Sequence, residues 1–164
     1  MKITQIFAIP HRRDWIRSAL AFVGFAGIAT TFGLASGLYT YAPITDPAVL
    51  VRFSAIAFVT PGILEELAFR GPLVWLAMTR GRAPAWAIAL SLLLFILWHP
   101  FNATVYLIEA QDLFFDWRFL AVAAGIGVVA TWLALRAQSL WPAIIFHWLA
   151  VTGWKAFLGA PQFF

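Results

Sequence analysis

Two adjacent carboxylates and an arginine stand inside an apolar run long enough to cross a bilayer. The stretch reads Pro61-Gly62-Ile63-Leu64-Glu65-Glu66-Leu67-Ala68-Phe69-Arg70-Gly71-Pro72. A charged side chain at the centre of a membrane helix costs about 2.5–3.5 kcal/mol on insertion scales, so such residues pair, face a wet cavity, or carry function. A chain that keeps three of them must fold around them. The surrounding sequence supplies the membrane: 63% of residues are hydrophobic and 11% charged. Soluble domains hold about 45–50% apolar and about 25% charged residues. The expected class is therefore all-α, a polytopic helical membrane protein.

Five apolar spans are expected. The first runs from Trp15 to about Leu38, the second from about Ala48 to Met78 and the third from Ala85 onward. The fourth covers Arg118 to Leu135, and the fifth Leu140 to about Leu158. The first is longer than a signal-peptide core and is read as an uncleaved helix, although Leu34-Ala35-Ser36-Gly37 loosely resembles a cleavage site. Gly33 and Gly37 form a small-xxx-small pair that would admit another helix. Pro61 and Pro72 bracket the charged motif and predict a kinked or broken motif helix. Pro100 is expected to interrupt the third span, either as one broken helix or as a helix plus a re-entrant piece. Residues 1–14 form a short head, 15–158 a single transmembrane domain and 159–164 a short tail.

The net charge is +4. The basic residues do not form a nucleic-acid-binding stripe; they gather at alternate gaps between apolar runs. Lys2, Arg12, Arg13 and Arg17 precede the first span, Arg80 and Arg82 follow the second and Arg136 follows the fourth, whereas Asp46, Glu109, Asp112 and Asp116 occupy the other connections. This positive-inside pattern predicts a multi-pass protein with a cytoplasmic N-terminus. Arg52, Arg118 and Lys155 run against it. The absence of cysteine rules out a disulfide framework, a thiol nucleophile and a thiolate metal site.

Within the motif, Glu66 and Arg70 are four residues apart and share a helix face, in the favourable order for an ion pair. Glu65 points about 100° away and needs a partner elsewhere. Two histidines lie inside predicted spans, His99 and His147, at a depth similar to that of Glu65. A carboxylate withdrawn from bulk water suits a general base. Glu65 with His99 would take a proton from water, and His147 would donate to an oxyanion. That chemistry is peptide hydrolysis without a covalent intermediate or a cofactor.

Glu65-Glu66-x-x-x-Arg70, Phe95-x-x-x-His99 and the Ser139-Leu140-Trp141-Pro142 lead-in to His147 resemble the three ordered motifs of the CPBP family. These are intramembrane glutamic endopeptidases related to the type II CAAX prenyl protease and to bacterial Abi proteins. The resemblance covers roughly residues 50–158. It implies Glu65 and His99 as the water-activating pair, Glu66 and Arg70 as structural partners and His147 in the oxyanion hole. It also implies a membrane-anchored protein or peptide substrate, with a C-terminal sorting signal as one class, and a bacterial cytoplasmic membrane. The third motif of the family continues with Asn or Asp four residues after its histidine; here Val151 occupies that position. Its donor is lost or supplied elsewhere, with Thr152, Trp154 and Asn102 the nearest polar side chains. Trp98 and Trp148, each beside a histidine, are further wall candidates.

Two other readings compete. One or two carboxylates with two histidines would bind zinc in an open site, although no HExxH is present and no metal is expected. Val151 also fits a catalytically inactive immunity or partner-binding protein. A proton-coupled carrier is disfavoured by the lack of an inverted repeat.

Overall fold

The computed structural model describes residues 3–160. Residues 1–2 of the head, Lys2 among them, and residues 161–164 of the tail lie outside the described residues. The head is docked. Ile3–Phe7 forms a 3-10 turn, and Ile6 is buried in the core. The carbonyls of Ile6, Phe7 and Ala8 accept hydrogen bonds from Leu140 N (2.8 Å), Trp141 Nε1 (3.0 Å) and Ser139 Oγ (2.7 Å).

Helix α1 (Arg12–Ala35) begins at Arg12 rather than Trp15. Asp14 in its first turn complements the helix N-terminus and pairs with Arg17 at 2.9 Å, so a charged turn extends the apolar span. The expected Gly33–Gly37 helix seat is not used that way. Gly33 receives the ring of Tyr39 from the following loop, and Gly37 adopts φ +74 just past the end of α1. The loop folds back before another helix can approach.

Asp46 caps α2 (Pro47–Ala57), accepting from Ala48 N at 2.8 Å, with Pro47 in the first turn. The helix then widens into a π-helical segment, Phe58–Glu65, that contains Pro61. It tightens again in α3 (Glu66–Phe69) and α4 (Gly71–Arg80). The expected irregularity is therefore a widened turn that ends at Glu65, not a gap. A π-bulge shifts the side-chain register of the helix beyond it. Gly62 makes the bulge possible against its neighbour: a Cβ there would lie 3.2 Å from the Ala57 carbonyl and 3.6 Å from Trp148 Cβ.

Helix α5 (Ala85–Val105) continues without a break through Pro100, where the sequence predicts an interruption. Proline deprives the carbonyl four residues back, that of Ile96, of its helical partner. His99 Nδ1 bonds the neighbouring Phe95 carbonyl at 3.0 Å, and the helix continues past the proline. The acidic-aromatic connection contains α6 (Gln111–Phe114). Helix α7 (Trp117–Ala137) and helix α8 (Trp141–Phe157) complete the bundle.

Among the described residues, four stretches are long and apolar enough to cross a membrane: 12–35, 47–80, 85–105 and 117–137. Helix α8, at 17 residues, is a shorter fifth helix, buried on several sides. Large apolar side chains of α1 and α5, among them Leu20, Val23, Ile28, Leu93 and Leu97, point outward. The chain is an all-α, multi-pass membrane protein with a lipid-facing apolar exterior. Its inside is packed where the head, α4, α7 and α8 meet, around Ile6, Val74, Leu133, Ile144 and Phe146.

Gly127 of α7 seats the motif helix. A Cβ on it would stand 3.1 Å from Phe95, 3.2 Å from Leu92 and 3.3 Å from Arg70 Nη2. Overpacking of this kind costs about 1–3 kcal/mol. Gly127→Val should lower the thermal midpoint in detergent, whereas Gly24→Ala, where a Cβ meets nothing within 4 Å, should leave it in place.

Asp116 caps α7. Its side chain accepts from Arg118 N at 2.8 Å and from Arg118 Nε at 3.0 Å. The Arg118 side chain holds this carboxyl below its usual range. A lowered folded-state pKa stabilises above the unfolded value and is lost as pH falls through the folded one. Acid should therefore increase hydrogen exchange in the first turn of α7. Asp116→Asn, which retains the cap acceptor, should remove that pH dependence. An equal acid response in the variant would refute the assignment.

Candidate active site

The π-segment delivers the motif. Glu66 and Arg70 are fully buried, and Glu66 Oε1 accepts from Arg70 Nη1 at 3.3 Å. Arg70 Nε reaches Thr131 Oγ1 of α7 at 3.4 Å. The guanidinium lies 4.0 Å from the centroid of Phe95, a desolvated cation–π contact of the strong kind. The same Glu66 Oε1 also lies 2.8 Å from His147 Nδ1. Glu66 therefore ties α3 to α8 as well as to Arg70. Sequence spacing reveals the Arg70 contact; the His147 contact joins residues 81 positions apart and depends on how α8 docks.

The two histidines are held alike. His99 Nδ1 lies 3.0 Å from Phe95 O, which requires it to donate. His147 Nδ1, facing a carboxylate, donates too. Nε2 is the remaining ring nitrogen on each. Phe95 sits edge-on to both imidazoles, at 5.2 Å from His99 and 5.7 Å from His147. This one phenylalanine backs Arg70, spaces the two histidines and anchors His99 through its carbonyl. His99 is further enclosed by Phe114 and Phe119.

Glu65 turns the other way from Glu66. Its Oε1 accepts from Trp98 Nε1 at 3.2 Å, and its Oε2 is buried with no hydrogen-bond partner among the described residues. A cavity of about 140 Å3 is lined by Glu65, His99 and His147 together with Asn102, Val151 and Trp154. Its other walls include Pro61, Phe114, Phe119 and Lys155. Three polar groups from the π-segment, α5 and α8 thus converge on one small, mostly apolar space.

The remaining wall candidates divide. Asn102 lines the cavity, and Trp98 touches it through Glu65. Trp148 and Thr152 do not reach it. Trp148 donates to Ser54 O at 2.9 Å and packs edge-on to Phe58. Both line a separate groove between α2 and α8. One residue and five residues past His147, they are rotated about 100° and about 140° from it on α8. Lys155 and Phe114 line the cavity although neither stands out in the sequence as a site residue; Lys155 figures there only as a basic residue at odds with the charge pattern. Among the described residues, no three His, Asp or Glu side chains are grouped to hold a metal ion.

No curated protein and no solved structure matches the chain. A family model described as "Type II CAAX prenyl endopeptidase Rce1-like" matches residues 47–152, which is more than half of the chain and includes all three motifs. By that match the chain belongs to the type II CAAX prenyl endopeptidase Rce1-like family of membrane peptidases.

Proposed function

We propose that this protein is a glutamic intramembrane endopeptidase that hydrolyses a peptide bond in a membrane-anchored substrate. The supporting observation is the convergence of Glu65, His99 and His147 on one cavity while Glu66 and Arg70 are spent on each other and on His147. Glu65 and His99 take a proton from water, and the resulting hydroxide attacks the scissile carbonyl. His147, held at Nδ1 by Glu66, presents Nε2 to the oxyanion as the donor. The proton taken from water passes to the leaving amine as the C–N bond breaks, giving a carboxylic acid and an amine; the acid's proton then moves to the amine, leaving a carboxylate and an ammonium. Lipid-exposed helices, the basic N-terminal turn and the resemblance to bacterial relatives support a bacterial cytoplasmic membrane with the N-terminus inside. Residues 15–158 act as a single catalytic domain. A C-terminal sorting signal is one fitting substrate class.

The test is purified protein in liposomes with a membrane-anchored peptide, read by mass spectrometry of the products. Cleavage should persist in excess chelator. Loss on chelation with recovery on adding zinc would establish a metallopeptidase instead, and no cleavage of any anchored peptide would favour an inactive partner-binding protein.

A further inference from the structure

Asn102 brings a carboxamide to the cavity that the fold itself does not use. It lines the same walls as Glu65, His99 and His147, and no side-chain hydrogen bond joins it to another of the described residues. Its backbone is fixed: the Asn102 carbonyl accepts from Tyr106 N at 2.9 Å and from Leu107 N at 2.8 Å, closing the end of α5. A half-buried carboxamide on a held backbone offers two N–H donors to the space in front of it.

The helices set its level. Phe119, in the first turn of α7, packs against both His99 (5.3 Å between ring centroids) and Trp154 (5.8 Å). The C-terminal halves of α5 and α8 therefore share one end of the bundle. Asn102 stands three residues past His99 and Val151 four past His147, about 4.5 Å and about 6 Å along their axes toward that end. They are rotated about 60° and about 40° from those histidines, and both reach the cavity. At this level α8 offers an isopropyl group and α5 an amide.

Hydroxide addition moves the π pair of the scissile carbonyl onto its oxygen, and donors fixed beforehand lower the barrier to that step. His147 Nε2 supplies one. Other neutral donors on the walls are worse placed. Trp154 lies seven residues past His147, roughly 10.5 Å along α8, with its ring set against Tyr39 and Phe119. Thr60 is exposed at the rim. We propose that Asn102 is a catalytic residue whose Nδ2–H donates to the oxyanion alongside His147. The proposal rests on the peptidase reading and adds a second member to its oxyanion hole. No proton leaves Asn102: it holds the oxygen while hydroxide adds and releases it when the carbonyl re-forms and the C–N bond breaks.

The experiment uses the full chain in liposomes with a membrane-anchored peptide. Removing one oxyanion donor lowers kcat by about 10²–10³-fold. Asn102→Ala should show that loss with KM close to wild type, because the bond acts on the transition state and not on the bound substrate. Its thermal midpoint should stay in place. Asn102→Ala/Val151→Asn should recover most of the lost kcat, since it returns a carboxamide to the same level of the cavity from α8. Wild-type kcat in Asn102→Ala overturns the assignment. So does a loss confined to KM, or a kcat that stays low in the double variant. Should Asn102→Ala fail to fold, Asn102→Leu, which fills a similar space without a donor, gives the same reading. A wild type that cuts no anchored peptide refutes the peptidase reading itself, so the two failures are distinct.

Discussion

Glu65→Gln should lower kcat by about 10²–10⁴-fold, the range a positioned general base supplies, while leaving membrane yield and thermal unfolding close to wild type. The substitution is nearly isosteric and keeps an acceptor for Trp98 Nε1. It removes only the capacity to take a proton. The structural stake is low: among the described residues, the side-chain hydrogen bond that holds Glu65 comes from an indole rather than from a cation. His99→Ala should reduce kcat as well but with a stability cost, because the ring also bonds the Phe95 carbonyl and packs edge-on to Phe95, Phe114 and Phe119. Cleavage by Glu65→Gln at the wild-type rate would end the glutamic mechanism. A Glu65→Gln protein that fails to fold would instead move Glu65 among the structural residues.

The features legible in the sequence are those set by local geometry. Glu66 and Arg70 pair because four residues of α-helix bring them onto one face, and no tertiary knowledge is needed for that. The spans are readable because lipid imposes length and apolarity on each helix. Pro61 marks the irregular turn but not its kind, since a π-bulge depends on what packs alongside, here Trp148 across from Gly62. Pro100 misleads for a related reason. Its cost is set by how the surroundings accommodate the freed carbonyl, which the sequence does not show. Position on α8 decides the wall residues: Trp148 and Thr152 are near His147 in sequence and face elsewhere, whereas Lys155, two turns on, faces the cavity. Polar residues sorted by sequence distance miss this; sorted by helical angle, Val151 and Trp154, about 40° and about 20° from His147, come forward and Thr152 recedes, whereas Lys155, at about 80°, is not separated from Trp148 by angle alone.

Glu66→Gln should damage the protein in a different way from its neighbour. Arg70 is fully buried, and its charge is balanced in the site by Glu66, which also fixes His147. Removing one member of a buried pair costs about 3–5 kcal/mol, mainly because the other charge is left without compensation. Thermal unfolding in detergent should show that loss, and activity should fall because His147 is no longer held. Neutralising the partner as well separates the two effects. Glu66→Gln/Arg70→Met should recover much of the stability, since the stranded charge is gone and a methionine can pack on Phe95. It should not recover activity, because the carboxylate that holds His147 is still absent. A double variant that regains both would show that Glu66 serves only Arg70. A single variant with unchanged stability would show that the guanidinium finds its balance elsewhere. Two adjacent glutamates thus give opposite signatures, loss of turnover in an intact fold for Glu65 and loss of the fold's central tie for Glu66, because adjacent helical positions turn the two side chains about 100° apart, one to the cavity and one to Arg70 and His147.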